Sequence, residues 1–349
     1  MGLAGLKQGL WRGIATAYHL SGAARARNRG CAAILTYHRI LSSDDLRSQF
    51  VQPGMYVGVE AFRMQMDYLR RESCVISFAE LLRRWSEGDW DAGVPYCVIT
   101  FDDGWLDNYR EAFPVLRGHG LPATIFLPTD FIGTARWFWP ERLGLLLKSA
   151  EAWGNQRQDR EAVHAALRVG LQAGWPERAT RPFPSTISAA AADDVIDACK
   201  QLEAGYLEDL LASLASRFSI DMPTGRTVVD WEEVREMSRQ GISFGSHSCS
   251  HRLLDRLTNE ECRAEAVLSL EQLRTNGAAV APVFCYPNGN YSVVAQGMVR
   301  EAGYEAAVSC RPGLETSQPS DLFGLKRISL HQDISATPSL FAMALAGLR

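Results

Sequence analysis

Two adjacent carboxylates, Asp102 and Asp103, close the run Val98-Ile99-Thr100-Phe101 and are followed at once by Gly104, a residue that turns the backbone easily. The β-branched, apolar run reads as a buried strand. Side chains alternate along a strand, but where it yields to a loop both carboxylates can approach one site from different angles. One can then bind a metal while its neighbour stays free to accept a proton. Taken alone, Asp-Asp-Gly reads equally well as a solvated turn or a helix N-cap. A second constellation lies far along the chain, where His247 and His251 stand four residues apart after another strand-like run, Ile242-Ser243-Phe244-Gly245. That spacing brings both imidazoles to one side if the intervening loop turns helically, as capture of a metal by two histidines requires. In a chain with seven histidines such a pair also arises by chance, so its place at a strand end is what gives it weight. Two neutral imidazoles and one carboxylate, with positions left for water, describe a catalytic Zn2+ site rather than a closed structural one.

The elements that must hold these groups alternate along the chain. Strand candidates at 31–38 (CAAILTYH, followed by Arg39), 74–78, 123–127, 283–286, 306–310 and 325–331 interleave with helices expected over 59–72, 79–86, 109–117, 231–240, 260–274 and 293–302. Such alternation implies a mainly parallel sheet with its functional residues at the strands' C-terminal ends. Seven or eight βα-like repeats favour a barrel over an open sheet. From 132 to 226 the rhythm breaks into helical runs at 141–153, 160–173 and 189–218. This reads as a helical insertion into one βα loop, serving as a lid, a substrate-binding wall or a surface subdomain. Trp137, Phe138 and Trp139 near its start suit either a sugar face or core packing.

Composition narrows the class. With 349 residues, 46% hydrophobic and 22% charged, the chain can bury a large core, and disorder is not the expectation. A net charge of -4 and a pI near 6.0 provide no basic field for nucleic acid. Eight cysteines without a CxxC pair read as buried thiols of a reducing compartment, not as a disulfide framework or a zinc knuckle. Residues 1–30 carry Lys7, Arg12, Arg25, Arg27 and Arg29 and no acid, with Leu3, Leu6, Leu10, Ile14 and Ala17 at helical spacing. This basic amphipathic segment fits peripheral contact with an anionic membrane, or a terminal helix packed on the domain. Lys7, Gln8 and Arg12 interrupt any secretory-signal core, so the expected location is cytoplasmic, with a peripheral place on the inner membrane as an option.

The motifs together resemble the polysaccharide deacetylases, also called NodB-homology or carbohydrate esterase family 4 proteins. Thr100-Phe101-Asp102-Asp103-Gly104 is similar to that family's first motif, His247-Ser248-Cys249-Ser250-His251 with Leu254 to its second, and Phe284-Cys285-Tyr286-Pro287-Asn288-Gly289 to a FAYPxG form of its third. Leu35 to Ile40, Ala123 to Leu127 and Trp231 add to the likeness, which runs from about residue 31 to 335 outside the insertion. The resemblance implies a distorted (β/α)7 barrel and removal of an N-acetyl group from an amino sugar. It implies Asp103, His247 and His251 as metal ligands and Asp102 as general base, with the metal, Zn2+ or else Co2+, Ni2+ or Fe2+, activating water and polarising the acetyl carbonyl. A backbone N–H in the loop Tyr286-Pro287-Asn288 is the candidate to hold the oxyanion.

Three departures from the family pattern stand out. Cys285 occupies the position of an arginine that orients the base in many members, and Arg327 is the candidate substitute. The closing LxH motif is matched only loosely by Ile328-Ser329-Leu330-His331, which leaves His331 as the candidate general acid. The family's aspartate-and-tryptophan motif after the third has no good match here. The expected substrate is an N-acetylated sugar in a bacterial exopolysaccharide or lipopolysaccharide pathway, including a glycolipid precursor. The alternatives are a same-fold hydrolase of a non-sugar amide and a glycan-binding homologue without turnover. A two-carboxylate glycosidase would not call for the histidine pair.

Overall fold

The structure is a computed structural model that describes residues 3–48, 50–52, 54–152, 157–175, 177, 182–188, 191–222 and 224–348. The chain forms two compact units, one of residues 1–43, 54–134 and 228–349, the other of residues 44–53 and 135–227.

The first unit is built on strands β1 (Ala32–Tyr37), β2 (Arg39–Leu41), β3 (Tyr56–Gly58), β4 (Cys74–Val75), β5 (Tyr96–Phe101), β6 (Ala123–Leu127), β7 (Ile242–Ser246), β8 (Val280–Cys285), β9 (Ala306–Pro312) and β10 (Leu325–Ser329). Seven of them close a parallel barrel in the order β1-β10-β9-β8-β7-β6-β5, with β5 pairing back to β1 along its whole length. The short β4 pairs with Tyr96 and Cys97 at the start of β5, while β6 takes Thr100 and Phe101 at its end. β2 and β3 form a separate two-stranded sheet that sequence periodicity does not anticipate. Every residue of β1, β5 and β6 is buried, as expected of strands covered on both faces.

Alternation then decides which side chains meet. Ala32 and Ile34, Tyr96 and Val98, Ala281, Val283 and Cys285, Ala306 and Val308, and Leu325 belong to one apolar cluster, joined by Phe78 and Leu81 of the helix Phe78–Glu87. Two residues beyond Val98 and Leu325 the same parity continues to Thr100, Asp102 and Arg327. The polar groups thus stand above an apolar plug. Gly245 is required inside the ring, because a Cβ there would sit 2.5 Å from the Phe126 ring and 2.7 Å from the Val283 carbonyl oxygen.

The helix Leu3–Leu20 packs Ala15 against Leu340 and Met343 of the helix Pro338–Leu345, leaving Trp11, Ile14 and Leu20 exposed. No described helix is long and apolar enough to cross a membrane.

The second unit has a core of its own from the helices Trp139–Ala152, Arg157–Ala173, Ala192–Cys199 and Ala204–Arg217, centred on Leu143, Leu167, Val195 and Leu211. The single helix expected over 189–218 is two helices in the described residues. Glu203 ends the connection between them by accepting the Gly205 and Tyr206 N–H groups as the N-cap of the later one. Segment 44–53, which no periodicity ties to this unit, contributes Phe50 to its core. The aromatic run splits: Phe138 is buried, Trp139 packs on the helical core, and the Trp137 indole donates to the Gly225 carbonyl.

Candidate active site

β5 ends where the Asp102 N–H donates to the Tyr37 carbonyl (2.9 Å), carrying the pairing with β1 one residue past the strand. Asp103 (φ 71°) and Gly104 (φ 65°) are then both left-handed, so the chain reverses and both carboxylates stay at the C-terminal mouth of the ring. Glycine is needed at 104 on two counts, since a Cβ there would also lie 2.5 Å from Leu127 Cδ2. Asp103 Oδ2 accepts from the indole N–H of Trp105 at 2.9 Å. Trp105 lies under the Arg39 guanidinium (4.6 Å), which is bonded to Asp107, whose other oxygen accepts the Ile40 N–H. The ends of β1 and β5 are tied together by this chain.

Asp103 Oδ1 faces His247 Nε2 at 3.4 Å and His251 Nε2 at 3.3 Å. A tetrahedral ion with ligand bonds of about 2.0–2.1 Å spaces its donors about 3.3 Å apart along each edge, which both Asp103 distances match, and the three donor atoms all lie within 4.8 Å of one another. The His247 Nδ1 lies 2.8 Å from the Cys285 carbonyl oxygen, a contact that places the proton on Nδ1 and leaves Nε2 as the lone-pair donor. Burial would raise the Asp103 carboxyl, but the two imidazoles facing it outweigh that effect and hold the group well below the usual carboxylate range. Of the five described non-glycine residues with left-handed backbone, four (Asp103, Ser248, His251 and Asn288) lie in these motif loops. Left-handed backbone is thus concentrated in the loops that carry the candidate site.

Asp102 is 3% exposed and paired with Arg327, itself 1% exposed, through two bonds of 2.7 Å, one to each carboxylate oxygen. Burial would raise the Asp102 carboxyl, yet the guanidinium charge and its hydrogen bonds prevail, holding it below its ordinary value. Arg327 also donates to the Ser309 carbonyl (2.9 Å) and touches the Cys285 sulfur (3.3 Å). Asp102, His247 and Cys285 form a second grouping of close donor atoms. The guanidinium already neutralises that corner, and burial pushes the Cys285 thiol up to about 11, so it is not the thiolate a metal would need.

The remaining sequence candidates divide. Tyr286 is core rather than substrate loop: its ring is fully buried against Phe284 and Tyr291, and its N–H is spent on the Val308 carbonyl. Pro287 is buried and has no N–H to offer. Asn288 (φ 55°) is exposed at the mouth, held by a bond from its side-chain amide to Asn290. His331 follows β10 and turns its Nδ1 toward Asp333 Oδ2 at 3.6 Å. Another imidazole, His38 at the end of β1, stands 3.9 Å from Asp102 Oδ2 and is 22% exposed. Its position after Tyr37 at a strand end is a readable signal, but its partner is not. Trp105 and Glu265, a buried acid that accepts from the loop between the two histidines, also escape the sequence reading.

A family model described as polysaccharide deacetylase matches residues 91–165 and 207–307, just over half of the chain. YxkH of Bacillus subtilis (strain 168), named for that family, is 20% identical over 304 residues, covering 87% of this chain and 73% of YxkH. Among solved structures, the Streptococcus pyogenes deacetylase PplD in complex with acetate is similar with a TM-score of 0.55 at 16% identity, over 90% of this chain and 98% of that one. A de-N-acetylase from Aggregatibacter actinomycetemcomitans gives 0.53 at 12%, over 89% and 98%. At such identities the structural likeness is one of fold.

Proposed function

Because the chain belongs to the polysaccharide deacetylase family, we propose that it removes the N-acetyl group from an amino sugar of a bacterial glycan or glycolipid precursor, using a divalent cation, Zn2+ foremost. The observation that carries this reading is the convergence of Asp103 Oδ1, His247 Nε2 and His251 Nε2 beside an ionised Asp102. Asp103, His247 and His251 would hold the cation, which supplies Lewis acidity toward water and the acetyl carbonyl. Asp102 accepts the proton of the attacking water, and Arg327 fixes the carboxylate's orientation. The Asn288 N–H is the loop donor we assign to the developing oxyanion. As the C–N bond breaks, the amine takes a proton from His38, the imidazole beside the base. His331, the candidate from sequence, is the competing acid. The products are acetate and a free amino sugar, chemistry of the kind the acetate complex of PplD and the name of the de-N-acetylase suggest for those proteins.

The test is acetate release from N-acetylglucosamine oligomers, set against small cyclic amides, with cation-stripped and reloaded protein. Release from the sugars alone, dependent on the cation, is the expected result. Hydrolysis of the cyclic amides alone would transfer the site to another substrate class. A larger loss in His38→Gln than in His331→Gln is expected; the reverse would return the acid to His331.

For location, we propose the cytoplasmic side of the inner membrane, reached through residues 1–30. Supporting this are the exposed Trp11, Ile14 and Leu20 on an acid-free segment. Co-sedimentation with phosphatidylglycerol vesicles, lost at high salt, is the expected outcome; equal recovery with and without vesicles would remove it.

A further inference from the structure

We propose that Glu265 is a positioning residue for the histidine pair: its buried carboxylate clamps the loop after β7 in the one conformation that brings His251 to Asp103. This rests on the metal reading given above.

Between the two histidines the backbone passes through left-handed Ser248 (φ 65°), and His251 itself is left-handed (φ 59°). Such residues persist only where their surroundings over-determine them. Part of the restraint is internal, since the Ser248 N–H donates to Ser246 Oγ (3.0 Å) and the His251 N–H to Ser248 Oγ (2.9 Å). On the β6 side, the Thr129 and Asp130 N–H groups donate to the Ser248 and Cys249 carbonyls. The peptide N–H groups of Cys249 and Ser250, lying between the two strained residues, converge on one oxygen of Glu265 at 2.7 and 2.9 Å, and the Ser250 hydroxyl donates to the other. A charged acceptor makes these bonds stronger than an amide or hydroxyl would.

Glu265 comes from the helix Asn259–Thr275, on the stripe that buries Cys262, Ala266, Leu270 and Leu273. A carboxylate there costs desolvation energy unless it makes such bonds. One turn on, Ser269 accepts from Ser246 Oγ at 2.7 Å and donates to the Glu265 carbonyl, so the same helix face also holds the end of β7. Glu265 has no part in the chemical steps above. Its bonds to residues 249 and 250 all serve the loop.

The experiment measures Zn2+ affinity by competition with a chromophoric chelator and the visible spectrum of the Co2+-loaded protein, alongside far-UV circular dichroism. Glu265→Ala is expected to bind Zn2+ about 10–100-fold more weakly, with an altered Co2+ spectrum and unchanged secondary structure. Glu265→Gln, whose carbonyl can take both N–H bonds, recovers most of the affinity. In a His251→Ala background Glu265→Ala costs little more, because its effect runs through His251. Wild-type affinity and spectrum in Glu265→Ala would overturn the proposal, as would an undiminished loss in the His251→Ala background. Should Glu265→Ala fail to fold, Glu265→Asp, too short to reach both N–H groups, decides: weakened binding supports the clamp and unchanged binding overturns it. Absence of Zn2+ and Co2+ binding by the wild type overturns the metal reading itself, and this proposal with it.

Discussion

The barrel and the helical unit bury different things. Among the described residues, the buried charged side chains Arg39, Asp102, Asp103, Asp107, Glu265, Glu315 and Arg327 all belong to the barrel unit, whereas the residues buried in the helical unit are apolar throughout. An apolar core needs only volume and pattern, and its loss is paid in stability. Buried charges survive only where each has a partner, so the barrel keeps them at a desolvation cost that packing alone would never require. That difference assigns the chemistry to the mouth of the ring.

The largest expected effect falls on that mouth. Asp102→Asn keeps the shape of the side chain and removes the proton acceptor, so turnover should drop by about 10²–10⁴-fold while Zn2+ affinity stays near wild type. Steady-state kinetics paired with a metal titration checks both halves. Unchanged turnover would make Asp102 a structural acid like those elsewhere in the barrel.

Next comes Arg327→Met, which strands a buried carboxylate and should cost about 3–5 kcal/mol in denaturant unfolding near neutral pH. The sign of its pH dependence follows from the pair. The folded Asp102 carboxyl is held below its ordinary value, so the pair stabilises fully above the unfolded carboxylate pKa of about 3.9, and that contribution fades as pH falls through the folded value. The stability gap between wild type and Arg327→Met should therefore narrow in acid. A gap independent of pH would mean that Arg327 acts by packing.

In the helical unit, Leu211→Ala opens a cavity in a fully buried apolar site and should cost about 2–5 kcal/mol while leaving Zn2+ affinity untouched. A calorimetric scan with a metal titration tests the separation. A fall in affinity matching the loss of stability would erase the contrast between the two regions.

How much of this is legible in the chain follows the same division. Asp102-Asp103-Gly104 and the four-residue histidine spacing are local patterns, and each sits at a strand end that periodicity locates, so the candidate ligands and the candidate base stand out in the chain. Arg327 is visible only as a stand-in for a missing arginine, because its partner lies 225 positions away. His38 neighbours a recognisable strand end, but its contact with Asp102 depends on where β1 and β5 meet, and Trp105, only two residues from Asp103, reaches it through the left-handed turn at 103 and 104. Glu265 did leave a trace, an acid on the buried stripe of its helix. Tyr286 misled because a loop motif names the residues of a turn without saying which of them face inward. The break before Ala204 was hidden for a chemical reason: its N-cap is Glu203, not the Ser, Thr, Asp or Asn that usually marks a helix start.

The central claim is that one cation is shared by residues from the ends of two strands. Anomalous scattering from a Zn2+-loaded crystal, recorded on both sides of the zinc absorption edge, addresses it most directly. The prediction is a single strong peak within about 2.0–2.2 Å of Asp103 Oδ1, His247 Nε2 and His251 Nε2. A peak bound elsewhere, or none at the mouth of the barrel, would contradict it.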